Sequence, residues 1–315
     1  MDEGIESSGA VFDPDGARRR VPSAPDIQSP KPFWLKVKLP SGETWKKVEE
    51  VLARRRLRTV CDEARCPNKG ECWGAGTATF MILGDICTRG CRFCAVATAR
   101  EGRPVREEEG REIALAAGEL GLDYVVLTSV DRDDLPDRGA GHFASCVTAL
   151  KEAGPGKIKV EALIPDFFGA ELERVIGSAP DVIAHNVETV RSLQHIRDSR
   201  ASFDKSLRTL REARAGLDSL RGGAGKTKSS VLLGLGETRE EVLSVMDELR
   251  KARTDILVLG QYLRPSKNQA PVEEYVTPDK FENYAEAARE RGFSSVIASP
   301  LARTSYHAKE TESHA

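Results

Sequence analysis

Residues 79–94 read TFMILGDICTRGCRFC. The apolar run at 80–83 has the length of a buried strand, and Gly84 ends it. Cys87, Cys91 and Cys94 follow at once with the spacing CxxxCxxC. Three thiolates on a short loop can hold three irons of a cubic [4Fe–4S] cluster and leave the fourth iron without a protein ligand. Such an open metal position can bind and activate a substrate. Structural zinc sites take four ligands from two paired CxxC or CxxxxC units, and a triad behind a strand does not match that arrangement.

Downstream, short apolar runs recur at 124–128, 159–163, 182–184, 230–233 and 256–259. Amphipathic helical stretches lie between them, at 107–119, 140–152, 170–176, 203–215 and 239–250. Strands alternating with helices predict a parallel sheet with right-handed crossovers. Six such units predict an α/β fold, a partial (β/α)6 TIM-type barrel, and not a closed eight-unit one. The expected organisation is a disordered tail at 1–30, an N-terminal extension at 31–78, the barrel at 79–262, a C-terminal extension at 263–308 and a tail at 309–315. The two extensions are expected to cover the barrel mouth. The second extension has a helix near 279–291 and a strand near 294–298. Functional groups of such barrels sit at the C-terminal ends of the strands.

A helix is expected at 44–55, and a second cysteine-rich stretch follows it. Residues 59–73, TVCDEARCPNKGECW, place Cys61, Cys66 and Cys72 in the pattern CxxxxCxxxxxC. With few apolar residues and several glycines, it reads as a loop held by a metal and not by a core. Three more soft ligands point to a second cluster.

The CxxxCxxC triad after a first barrel strand resembles the signature of radical S-adenosylmethionine (SAM) enzymes. The two triads together, with the residues around the first, resemble lipoyl synthases. That family ends in an Arg-Ser-Ser-Tyr-type motif whose second serine ligates the auxiliary cluster. Here the segment is Arg303, Thr304, Ser305, Tyr306. Thr304 replaces the first serine, and Ser305 keeps the ligand position. The resemblance covers about residues 31–308. It implies a radical SAM cluster on Cys87, Cys91 and Cys94, and an auxiliary [4Fe–4S] cluster on Cys61, Cys66, Cys72 and Ser305. It further implies contacts to SAM or substrate from Ser129, Asn186 and Glu237, at the ends of the second, fourth and fifth strands.

Other positions read more plainly. His185 is expected to be a packed structural histidine, Asp133, Asp134 and Asp137 a solvated acidic loop, and Cys146 a buried thiol. Thr238 has the place of a helix N-cap. The stretch 222–227, GGAGKT, fails as a phosphate loop, because Leu220 stands where the motif needs glycine and a strand follows instead of a helix. Beyond the sixth strand, Asn268 and Gln269 depart from the histidine often found in the family.

The 315 residues carry a formal net charge of −2, which excludes a globally basic nucleic-acid binder. No apolar run has the length of a membrane span. The acidic N-terminus shows no targeting signal, and the Arg18-Arg19-Arg20 run reads as a solvated patch on the tail. Six of the seven cysteines crowd between Cys61 and Cys94, which favours metal ligation in a cytoplasmic protein over disulfides.

The resemblance implies insertion of two sulfur atoms at C6 and C8 of an octanoyl chain on a carrier lysine, with one SAM consumed per insertion and the auxiliary cluster as the sulfur donor. Implied partners are octanoylated carrier domains (2-oxoacid dehydrogenase E2 and glycine cleavage H protein), a ferredoxin or flavodoxin, and an iron–sulfur repair or carrier protein. The competing readings are another sulfur-inserting radical SAM enzyme, such as a methylthiotransferase, and a non-enzymatic iron–sulfur carrier or zinc-stabilised module. The first would add an RNA-binding module. The second has no need for a barrel with motifs at six strand ends.

Overall fold

The computed structural model describes residues 11–12, 18–19, 30–37, 42–64, 66, 68–74, 79–154, 156, 158–306 and 308–309. Two short strands come first, β1 (Val11–Phe12) and β2 (Arg18–Arg19). Helix α1 (Glu43–Arg54), strand β3 (Arg58–Thr59) and the short helices α2 (Val60–Glu63) and α3 (Lys69–Gly74) follow. Strand β4 (Thr79–Ile82) leads through β5 (Ile86–Cys87) and β6 (Ala97–Thr98) to α4 (Glu109–Leu120). The chain then alternates through β7 (Tyr124–Ser129), α5 (Ala140–Ala153), β8 (Lys159–Leu163), α6 (Ala170–Gly177) and β9 (Val182–Ala184). It continues with α7 (Phe203–Arg221), β10 (Lys226–Leu233), α8 (Arg239–Lys251), β11 (Ile256–Gln261), α9 (Pro278–Glu290) and β12 (Ser295–Ser299).

The main sheet runs β12-β11-β10-β9-β8-β7-β4-β3. Only β3 is antiparallel to its neighbour. Each helix returns the chain beside the strand just left, which is the arrangement the alternation predicts. Among the described residues β3 and β12 are free edges, so the barrel is partial. It has seven parallel strands where six were expected. The strand placed in the C-terminal extension is β12, which pairs with β11 from Ser295 to Ser299. Its Val296 and Ala298 pack on the same core as α8 and α9, so it completes one more βα unit.

Side chains alternate across each strand. On one face, Val125, Leu127, Val160, Ala162 and Ile183 pack against α4, α5 and α6. On the other face lie charges. Lys228 Nζ donates to both Glu161 carboxylate oxygens, at 2.9 and 3.0 Å, and Tyr124 Oη donates to Glu161 Oε2 at 2.9 Å. Both charged groups are fully buried. A fully satisfied pair is tolerated there, whereas removing one partner leaves a buried charge alone.

One expectation is corrected. The stretch around Cys61 and Cys72 is no bare loop, since Thr59 caps α2 by accepting the Asp62 N–H at 3.3 Å. Trp73 is buried against Trp45, with ring centroids 4.6 Å apart, and Lys69 lies over the Trp73 ring. Cys61 and Trp73 join Val48, Val51 and Leu52 in the core. The disordered tail expected at 1–30 falls mostly outside the described residues. The four described before Pro30 form a strand pair, and Arg18 pairs with Thr98 of β6. An open strand edge offers unpaired N–H and C=O groups, and β2 takes them.

Candidate active site

Leu83 and Gly84 turn the chain with φ of +67° and +93° and deliver the cysteine loop to the C-terminal end of the sheet. The Leu83 N–H donates to Glu109 at 3.0 Å. Cys87 Sγ accepts the backbone N–H groups of Arg89 and Asp131, each at 3.4 Å. Cys91 Sγ accepts that of Asp198 at 3.3 Å. Arg89, buried within the loop, reaches Asp131 at 3.2 Å, Asp133 at 2.8 Å and Asp166 at 2.7 Å. Asp198 accepts the Gly90 N–H at 2.8 Å, and hydrogen bonds from Arg200 hold its carboxyl well below the usual range. The Cys94 carbonyl accepts from Gln269 Nε2 at 3.1 Å, which gives that departure from the family pattern a structural role.

Burial decides the state of these sulfurs. It pushes the Cys91 thiol up to about 12 and the Cys61 thiol up to about 11. Cys87 and Cys66 move the same way for the same reason. Free, they are neutral thiols, and a bound cation displaces the proton. The donor set fits an iron–sulfur cluster, with soft sulfurs and amide N–H groups aimed at them. A single zinc ion would draw tetrahedral thiolates to about 3.8 Å apart. Among the described residues neither triad has three ligand atoms within 4.8 Å of one another.

Beside Cys91 a cavity of about 150 Å³ opens at the ends of β7, β8 and β9. Ser129 and Asn186 line it with Asp131, Glu188 and Arg197. Ser129 Oγ is buried there with no hydrogen-bond partner among the described residues. Burial pushes Asp131 up to about 6, against the pull of Arg89. Glu188 is held at φ +67°, a strained conformation for a side-chain-bearing residue. His185 is structural, with Nδ1 on the Ile164 carbonyl and Nε2 on Ser206 Oγ, both at 2.9 Å. Burial lowers it to about 4 and keeps it neutral.

The structure thus brings Cys91, Ser129 and Asn186 together. Glu237 is elsewhere. Its carboxylate accepts the N–H groups of Gly234 at 2.6 Å and Leu235 at 2.9 Å, so it ties down the loop after β10 and does not line the cavity. Gly234, at φ +93°, could carry no Cβ, which would lie 2.3 Å from the Glu274 carbonyl. Thr238 forms a full capping box with Glu241.

In chain order the first cysteine group is Cys61, Cys66 and Cys72 and the second is Cys87, Cys91 and Cys94, and the C-terminal segment closes over the first. Ala302 O passes 2.1 Å from where a Cβ on Gly260 would stand, so only glycine admits the segment. Asn68 Nδ2 donates to the Leu301 carbonyl at 2.6 Å, and Tyr306 Oη to Glu71 at 3.0 Å. The Arg303 charge acts on Cys66. Ser305 lies between these contacts. Thr304 turns the other way, and Asn186 Nδ2 donates to its Oγ1 at 3.0 Å.

The sequence reading missed Arg89, Asp166 and Arg197, and it placed Asp131 at the barrel mouth and Glu188 in a family-like stretch without giving either a role. It took Asp133, Asp134 and Asp137 for a solvated loop; Asp134 is exposed and the other two half-buried, and all three carboxylates are held in place. Asp133 is held by Arg89 and Thr88, Asp134 by Arg132 and the Gly102 N–H, and Asp137 by the N–H groups of Gly139 and Gly141. The one available signal was the arginine set between acids at 131–134. Cys146 is buried as expected.

Residues 81–249 match the Radical SAM superfamily, and residues 15–66 match the N-terminal domain of lipoyl synthase of the Radical SAM family. The lipoyl synthase of Methanocella arvoryzae is 50% identical over 289 residues, covering 91% of this chain and 96% of that protein. The mitochondrial lipoyl synthase of Bos taurus is 51% identical over 287 residues, covering 89% and 76%. Among solved structures, methylornithine synthase superposes with a TM-score of 0.53 at 16% identity, over 80% of this chain and 71% of that one. The FeFe-hydrogenase maturase HydG from Carboxydothermus hydrogenoformans gives 0.56 at 16% identity, over 74% and 56%. These two likenesses concern the fold alone. By its relatives and its matched domains, the chain belongs to the lipoyl synthase family of the Radical SAM superfamily.

Proposed function

We infer that this chain is a sulfurtransferase that inserts two sulfur atoms, at C6 and C8, into an octanoyl chain amide-linked to a lysine of a carrier domain. The observation that supports this reading is the closure of the C-terminal segment on the first cysteine group. Residues 301–306 lie along the first cysteine group, and Thr304 touches the cavity wall that Cys91, Ser129 and Asn186 share. A radical enzyme that also delivers sulfur needs its radical source and its sulfur source within reach of one substrate carbon.

Cys87, Cys91 and Cys94 would hold one [4Fe–4S] cluster, and Cys61, Cys66, Cys72 and Ser305 a second. When bound, the clusters and SAM supply reductive SAM cleavage, hydrogen abstraction from unactivated carbon, and the sulfur itself. The chain's own residues bind, orient and exclude water. Ser129 and Asn186 offer polar contacts to SAM. The amide N–H groups of Arg89, Asp131 and Asp198 hold Cys87 and Cys91 in place. Ser305 offers a hard, displaceable oxygen where its companions are sulfurs, which suits a site that gives up an iron.

Octanoylated E2 and H-protein domains, a ferredoxin or flavodoxin, and an iron–sulfur repair protein complete the proposal. Cytoplasmic placement belongs to it as well, supported by seven free cysteines. Among the described residues no helix is long and apolar enough to cross a membrane.

The test is anaerobic iron and sulfide analysis with EPR, on wild type and on a Cys87/Cys91/Cys94→Ala variant, followed by an octanoyl-peptide assay. The expected result is about eight irons in wild type and about four in the variant. Zinc, or a single cluster that vanishes in the variant, would refute the two-cluster reading.

A further inference from the structure

Two contacts of the C-terminal segment point in opposite directions. Arg303 and Tyr306 face the first cysteine group, one acting on Cys66 and the other donating to Glu71. Thr304, buried between them, faces Asn186 at the cavity wall. Its Oγ1 lies 3.0 Å from Asn186 Nδ2 and 3.3 Å from Asn186 Oδ1, across 118 positions of sequence. Asn186 itself lines the cavity and lies against the Glu188 carboxylate.

The carboxamide has two N–H donors and two acceptor lone pairs. Its N–H groups go to Thr304 and Glu188, which orient it, and a lone pair on Oδ1 is left for a ligand. Thr304 is also covalently next to Ser305, so a shift of one is a shift of the other. We propose that Thr304 is a positioning residue that couples occupancy of the cavity by SAM to the grip of Ser305 on the first cysteine group. This rests on the functional reading above.

The physical argument is reciprocal. SAM bonded to Asn186 meets an amide already oriented by Thr304, so the hydroxyl contributes to SAM affinity. By linkage, bound SAM then steadies Thr304 and slows release of iron at the site Ser305 closes. The contact has the size of one buried neutral hydrogen bond, about three- to tenfold in an equilibrium constant.

The test uses the full-length protein, anaerobically reconstituted, as wild type, Thr304→Val and Thr304→Ser. Valine keeps the shape and removes the hydroxyl, and serine keeps the hydroxyl and removes the methyl. SAM affinity is read by equilibrium dialysis. Iron loss to a ferrous chelator is read with and without saturating SAM. A Cys61→Ala variant, reduced to the second group's iron, supplies that group's own rate for subtraction.

In wild type, SAM is expected to slow iron loss from the first group about three- to tenfold. Thr304→Val is expected to bind SAM weaker by a similar factor and to lose the protection, and Thr304→Ser to retain both. Equal protection in Thr304→Val, or a serine variant as impaired as the valine one, would overturn the coupling while leaving the functional reading intact. A wild type with about four irons, or without SAM binding, would overturn that reading and the coupling with it.

Discussion

Cys87, Cys91 and Cys94 sit on a loop gripped by the segments after β7, β9 and β11, whereas Cys61, Cys66 and Cys72 lie on and between two short helices closed by the far end of the chain. In the first case the hold is dense, with Arg89 on three carboxylates, amide N–H groups on two sulfurs, and Gln269 on the Cys94 carbonyl. In the second, backbone N–H groups of Thr79 and Asn68 reach Cys61 and Cys66, and among the described residues the C-terminal closure itself is light, with one amide bond from Asn68, one hydroxyl bond from Tyr306, and the approach of Arg303 to Cys66. The difference matches two tasks. A site that is used repeatedly gains from rigid, preorganised ligands. A site that gives up its contents gains from a closure that can open.

The sharpest way to break this contrast is at Arg89. Arg89→Met removes a buried cation and strands Asp131, Asp133 and Asp166 around a neutral side chain. Leaving such charges uncompensated costs about 3–5 kcal/mol. Urea unfolding should show that loss, and the iron count should fall by about four, all of it from the group on Cys87, Cys91 and Cys94. If the group on Cys61, Cys66 and Cys72 lost its iron instead, the dense network would be holding the wrong site.

A smaller effect lies beneath the cavity. His185 falls from its ordinary 6.5 to about 4 because burial disfavours its charged form. Between those values the unfolded chain binds a proton that the folded chain does not. The resulting stability is fully present above pH 6.5 and is lost as pH falls toward 4, by roughly 3 kcal/mol in all. Asp131, raised by burial, acts with the opposite sign between 3.8 and about 6, so the two must be separated. Urea titrations of wild type and His185→Gln on both sides of the window do so. Stability should fall with acidification more steeply in wild type than in the variant. Parallel curves would mean that His185 is not held neutral.

The two regions were also unequally legible in the sequence. CxxxCxxC after a strand is local, and so are the βα alternation and the Thr238 cap. The partners of Arg89 come from two other loops, and no spacing rule links position 89 to 131, 133 and 166. Thr304 and Asn186 meet across 118 residues for the same reason. Strand β10 begins at Lys226, before the expected 230, because lysine reads as surface until Glu161 neutralises Lys228. Helices α2 and α3 were taken for loop since their single buried anchors, Cys61 and Trp73, pack on α1 and not on each other's periodicity. Glu237 was expected at SAM or substrate because its segment resembles the family's fifth-strand motif. Nothing in the local pattern showed that the Gly234 and Leu235 amides also bind its carboxylate.

The smallest expected effect sharpens the contrast most. Tyr306→Phe deletes one hydroxyl whose partner, Glu71, is exposed, so water can replace the lost bond. Folding stability should change by about 0.5 kcal/mol or less. Asn68→Ala, which strips the half-buried Leu301 carbonyl of a donor, should cost about 1–2 kcal/mol. If the sparse closure governs release, both variants should lose first-group iron to a chelator severalfold faster than wild type, in the order of these costs, while second-group iron leaves at the wild-type rate. Equal acceleration at both groups would mean that the C-terminal segment stabilises the whole barrel mouth and does not act as a closure of its own. No acceleration at either would place the hold on the first group in α1–α3 alone, where Trp45, Lys69 and Trp73 already stack.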